Sequence, residues 1–123
     1  MENQSPVING AGETSRDFTF VTDVVQANLL AMFTDNIKAV NQVYNIAKGE
    51  QTTLNKLFEI LKDISGKDLK PIHGPERSGD IKHSLADISK AKKLLGYQPS
   101  TSPSDGLRKT FEWYNKNSLI FAA

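Results

Sequence analysis

The chain has no cysteine, which excludes a disulfide framework and thiolate metal sites, although that absence fits either redox compartment. It has no excess of one charge: 15 lysines and arginines stand against 14 aspartates and glutamates, a formal net charge of +1. No basic run is interleaved with aromatics, so nothing marks an electrostatic footprint for nucleic acid or an anionic membrane. No apolar run reaches membrane-spanning length, and the opening Met1-Glu2-Asn3-Gln4-Ser5 lacks the basic and apolar regions of a signal peptide. A cytoplasmic location is the default expectation, and the formal glycosylation acceptor Asn3-Gln4-Ser5 then carries no weight. The only two histidines, His73 and His83, lack metal-ligand spacing, so no metal site is expected. Internal repeats and low-complexity linkers are absent too.

What is there suits one globular unit over residues 1–123, with 38% hydrophobic and 24% charged residues and enough length for a modest core. Val7-Ile8-Asn9 reads as a strand entering the glycine turn Gly10-Ala11-Gly12, and Asp17 to Val21 alternates polar and apolar, which predicts a hairpin-like start. Asp23 is expected to cap a helix over Val24 to Phe33 that is apolar around most of its circumference and therefore well buried. Gln42 to Ala47 reads as a strand stopped by Gly49. Thr52 is expected to cap a second helix, with Leu54, Leu57, Phe58, Leu61 and Ile64 on one face and Gly66 past its end. Leu69 to Ile72 reads as a short edge strand, and Asp87 as the cap of a helix over Ile88 to Leu95 stopped by Gly96. Ser102-Pro103-Ser104-Asp105 opens a last helix expected to bury Leu107, Phe111 and Tyr114. The fold class is α/β, with few short strands and about four helices.

The chemistry concentrates in Arg77-Ser78-Gly79-Asp80. A guanidinium fork suits two diphosphate oxygens, a carboxylate accepts both hydroxyls of a ribose, and glycine lets the backbone bend between them. An exposed arginine-to-aspartate turn is also a common solvated loop, so the residues alone leave both readings open. Two other patterns are decoys. Gly10-x-Gly12-x-x-Ser15 lacks the third small residue of a dinucleotide fingerprint and runs into a strand-like segment where a helix is required. Tyr44-x-x-x-Lys48 has the spacing of a dehydrogenase catalytic pair, but in a strand, at about 3.3 Å per residue, the two would stand about 13 Å apart. No Gly-x-Ser-x-Gly elbow presents a serine nucleophile. No catalytic residue is expected in this chain.

Asn9 through Ala27, with Gly10-Ala11-Gly12 and Arg16-Asp17-Phe18, then Val43-Tyr44-Asn45-Ile46-Ala47, then Arg77-x-Gly79-Asp80 through Leu95-Gly96-Tyr97, resemble the C-terminal part of extended short-chain dehydrogenases of the NAD-dependent epimerase/dehydratase family. The nearest look is to UDP-N-acetylglucosamine 4-epimerases, and it spans nearly the whole chain. The resemblance implies a small C-terminal domain that holds a UDP-sugar, with the N-terminal Rossmann half absent and Met1 marking a truncated frame. It places NAD, the glycine fingerprint and the catalytic tyrosine and lysine in that half, so this chain alone is expected neither to bind NAD nor to turn over. It implies that Arg16 and Arg77 contact the diphosphate, that Asp80 takes the ribose hydroxyls, and that Val7, Ile8 and Asn9 lie against the uracil. Ser84 matches the position where a small residue admits an N-acetyl group. For the parent the resemblance implies a homodimer and inversion at sugar C4 in the service of polysaccharide biosynthesis.

Two alternatives remain open at this point: a related NAD-dependent sugar-nucleotide dehydratase or decarboxylase, and a non-enzymatic α/β interaction module whose arginine-to-aspartate loop is only a turn. Without its Rossmann half the chain should expose apolar faces and self-associate.

Overall fold

A computed structural model describes residues 4–117. Among these described residues, two pairs of very short strands and four helices form an α/β unit. β1 (Val7–Asn9) runs parallel to β4 (Ile72–Gly74), with Ile8 opposite His73. β2 (Ser15–Arg16) is antiparallel to β3 (Thr52–Thr53), with Arg16 opposite Thr52. The helices are α1 (Val21–Met32), α2 (Leu54–Ser65), α3 (Ser89–Leu95) and α4 (Pro103–Lys116). A single turn of 3-10 helix covers Ile37–Ala39.

The expected hairpin does not form. Gly10 and Gly12, at φ 70° and 77°, turn the chain as a glycine pair should, but the two strands they separate go to different partners. Ser15 has no edge left for β1: Thr53 lies on one side, and on the other its amide donates to the Lys82 carbonyl while its carbonyl accepts from Ser84. The predicted strand over Gln42 to Ala47 is irregular chain for a related reason. Among the described residues no strand runs beside it, and its polar groups bond outward, the Tyr44 hydroxyl donating to Ala39 O and the Asn45 amide to Asp87 O. Pairing in β4 starts at Ile72 and not at Leu69, because Pro71 has no N–H and the first ladder donor is the Ile72 amide, bonded to Pro6 O at 2.9 Å.

The helices match expectation more closely. The Thr53 hydroxyl, one residue beyond the predicted cap, accepts the Lys56 amide, while Thr52 is buried in β3. The Asp87 carboxylate accepts the Ser89 amide at the start of α3, and Ser102 accepts the Asp105 amide at the start of α4. Asp23 does not cap α1: it lies inside the first turn, 2% exposed, and accepts from the amides of Ser100 and Thr101 and the Thr101 hydroxyl. The expected burial of α1 is likewise overturned, since only Asp23 and Ala27 are buried while Met32 and Phe33 are more than two-thirds exposed. Leu107 and Phe111 are half-buried, but Tyr114 is exposed. α4 presses Gly106, which is buried, against the Phe20 ring.

The core gathers Ala27 of α1, Ala47, Ile88, Ala91 of α3 and Tyr97, with Leu30, Tyr44, Ile46 and Ala86 around them. Tyr97 is wholly buried, and its hydroxyl donates to Ala47 O at 2.8 Å. This core fixes α3 and α1; the parallel pair β1 and β4 lies beyond it and carries the loop that follows β4.

Candidate functional site

Parallel pairing of β1 and β4 brings two loops to one side of the molecule, the glycine turn after β1 and the Arg77-to-Asp80 turn after β4. Between them lies a cleft of about 90 Å³ lined by Asn9 to Ala11, Glu13, Thr14, Glu76, Arg77, Asp80, Lys82 and His83. The Arg77-to-Asp80 segment closes by a bond from the Asp80 amide to Arg77 O at 3.3 Å, with Gly79 at φ 83°, a conformation that L side chains avoid. That turn sets the Arg77 and Asp80 side chains on the same cleft.

Arg16 stands behind the turn. One guanidinium nitrogen, Nη1, donates to Ile81 O at 2.7 Å and to Ser15 O at 2.8 Å. Both protons of that nitrogen are thus engaged in holding the segment after Asp80 against β2, and Arg16 lies outside the cleft lining. Asn9 reaches the cleft at the end of β1, whereas Ile8 is buried behind it and Val7, 63% exposed, lies outside the lining. Ser84 is exposed, lies outside the lining, and is tied through its amide to Ser15 O.

The cleft also contains groups that sequence reasoning did not assign to it: Glu13, Glu76, Lys82 and His83. The only signal for His83 was its place three residues after Asp80; that its ring bonds the Ser15 hydroxyl at 2.9 Å is a long-range fact. Acidic and basic side chains line the cleft together, which suits a ligand carrying both an anionic group and hydroxyls.

The glycine turn does not fit a dinucleotide. Such a site needs a helix N-terminus directly after the turn, and here β2 follows. The space beside Gly12 is filled by the Asn55 side chain, whose amide donates to Ala11 O and Glu13 Oε1. Tyr44 and Lys48 form no catalytic pair, for the Lys48 ammonium donates to Pro99 O while the Tyr44 hydroxyl donates to Ala39 O. Among the described residues no group of three or more His, Cys, Asp or Glu side chains is arranged to hold a metal, and no helix is long and apolar enough to cross a membrane.

Residues 1–110 match the family model described as GDP-mannose 4,6 dehydratase. The chain is 44% identical to the UDP-glucose 4-epimerase of Thermotoga maritima, solved with UDP-glucose, with a TM-score of 0.83 over 93% of this chain and 36% of that one. It is 41% identical to the UDP-N-acetylglucosamine 4-epimerase of Methanobrevibacter ruminantium, solved with UDP-N-acetylmuramic acid (TM-score 0.82, 93% and 36% covered). Against the UDP-glucuronic acid 4-epimerase of Bacillus cereus, solved with UDP-glucuronic acid and NAD, identity is 34% (TM-score 0.81, 90% and 35% covered). The chain spans about a third of the length of the curated relatives it matches.

Proposed function

The chain belongs to the NAD-dependent epimerase/dehydratase family of extended short-chain dehydrogenases, and from that membership we propose that it is the nucleotide-sugar-binding part of an NAD-dependent UDP-sugar 4-epimerase. The observation that carries this reading is the convergence of Arg77, Asp80 and Asn9 on one cleft from two loops far apart in the sequence. Arg77 supplies a fork for the diphosphate, and Asp80 accepts the two ribose hydroxyls. Asn9, at the end of β1, meets the base. Arg16 positions the loop through its two carbonyl bonds, and its contact with the diphosphate rests on the family resemblance alone.

These groups bind and orient; the proton and hydride chemistry belongs to residues outside this chain. Anchoring the UDP while leaving the hexose free to turn is what inversion at C4 asks of a binding portion. The chain by itself therefore gives no turnover, and the exposed apolar face of α1 is where the rest of the parent packs. A preference for UDP-N-acetylhexosamines rests on the family resemblance at Ser84 alone, since Ser84 is exposed and lies outside the cleft lining.

The test is a backbone-amide NMR titration with UDP, then UDP-N-acetylglucosamine and UDP-glucose, on wild type and Arg77→Ala. Saturable shifts at Asn9, Arg77 and Asp80, weakened at least tenfold in the variant, are expected from loss of a charge-assisted pair worth about 1.5–3 kcal/mol. A titration identical in both proteins overturns the assignment. The match to a GDP-mannose dehydratase model favours a second reading, a related sugar-nucleotide dehydratase. Shifts produced by GDP and not by UDP would select it.

A further inference from the structure

His83 is exposed on the cleft, yet its ring is not free to turn. The residue is held between two backbone bonds, Ser15 N to Lys82 O at 2.9 Å and Ser84 N to Ser15 O at 3.2 Å, that stitch residues 82–84 to β2. Its Nδ1 lies 2.9 Å from the hydroxyl of Ser15, a residue only 2% exposed. Among the described residues that hydroxyl has no other hydrogen-bond partner, and its own proton finds an acceptor only when the serine donates to Nδ1. A neutral imidazole that accepts at Nδ1 carries its own proton on Nε2. Nε2 makes no hydrogen bond to the described residues, and the ring lines the same cleft as Arg77. In that tautomer Nε2 presents an N–H to the cleft.

We propose that His83 is a ligand-contacting residue of the nucleotide site, a fixed Nε2–H donor to an anionic oxygen of the diphosphate, and that Ser15 is the positioning residue that holds its tautomer. The inference deepens the nucleotide-sugar reading and rests on it. A donor that needs no reorientation loses little on binding, and its bond to a charged oxygen is of the stronger class.

The experiment measures UDP and uridine binding by NMR titration to wild type, His83→Ala, His83→Gln, Ser15→Ala and Arg77→Ala, together with imidazole ¹⁵N shifts of the free protein. His83→Ala is expected to weaken UDP about tenfold and leave uridine unchanged, as a donor to phosphate must. Glutamine, whose amide nitrogen reaches as far as Nε2, is expected to restore most of that loss. The ¹⁵N spectrum should show the Nε2–H tautomer in wild type and a mixture of tautomers in Ser15→Ala, a readout independent of any ligand. UDP binding that falls in Arg77→Ala but not in His83→Ala overturns the role of His83 alone. An Nδ1–H tautomer in wild type overturns the role of Ser15. Failure of the wild-type chain to bind UDP at all overturns this inference together with the reading beneath it.

Discussion

Two aspartates that look like local capping residues are long-range acceptors. Asp17 takes the amides of Lys48 and Gly49 on its two oxygens, and Asp23 takes those of Ser100 and Thr101 with the Thr101 hydroxyl. Each carboxylate replaces a strand partner for a stretch of irregular chain that has none. Asp23→Ala leaves two amides without an acceptor in a partly buried setting, which should cost about 2–4 kcal/mol. A urea melt is expected to show the midpoint falling with an unchanged slope; an unchanged midpoint would mean that water replaces the carboxylate freely. Nothing near Asp23 in the sequence points to residues 100 and 101, and a helix following an aspartate suggests a cap. Arg77 and Asp80 were legible because one four-residue turn contains both. Glu13, Glu76 and His83 were not, because their place on the cleft is created by the pairing of β1 with β4 and of β2 with β3.

The elements divide the same way. Helix ends depend on a few neighbouring residues, so the stops at Gly66 and Gly96 and the Ser102 cap could be read directly. Strands need a partner that composition does not name, so Gln42 to Ala47 carries the residues of a strand and forms none. α1 illustrates a third case, in which the pattern was read correctly and its burial was not. Its all-round apolar surface predicts burial, yet Val21, Val25, Leu29, Met32 and Phe33 are each at least half exposed. Val25, Leu29 and Phe33 line an open groove of about 540 Å³ together with Leu30 and Leu95. An apolar stripe of this length left in water favours association. Sedimentation equilibrium is expected to show a weight-average mass that rises with concentration, and Phe33→Gln with Leu29→Gln should return it to the monomer value. A wild-type chain monomeric throughout would show that the stripe is tolerated bare.

For the molecule as a whole, Tyr97 is where the pieces meet. It joins α3, which ends just before it, to Ala27 of α1 and to the irregular segment whose Ala47 carbonyl its hydroxyl satisfies. Burial pushes its ionisation up, and the charges of Asp23 and Asp17 push it further in the same direction. The sign of the linkage follows: below the unfolded tyrosine value of about 10 both states keep the proton and this contribution to stability is intact. As the pH rises beyond that value the unfolded chain gives up the proton and the folded chain resists, so stability drains away until the folded pKa is passed. An alkaline unfolding limb is therefore expected to begin near pH 10, followed by near-ultraviolet circular dichroism during urea melts at successive pH values. Tyr97→Phe removes both the ionisable group and the donor to Ala47 O. At neutral pH it should be less stable than wild type by about 1–2 kcal/mol, since a buried carbonyl loses its partner. Its alkaline limb should be shallower, so that the two stability curves converge as the pH rises. Parallel curves would place the alkaline sensitivity elsewhere and leave Tyr97 as packing alone.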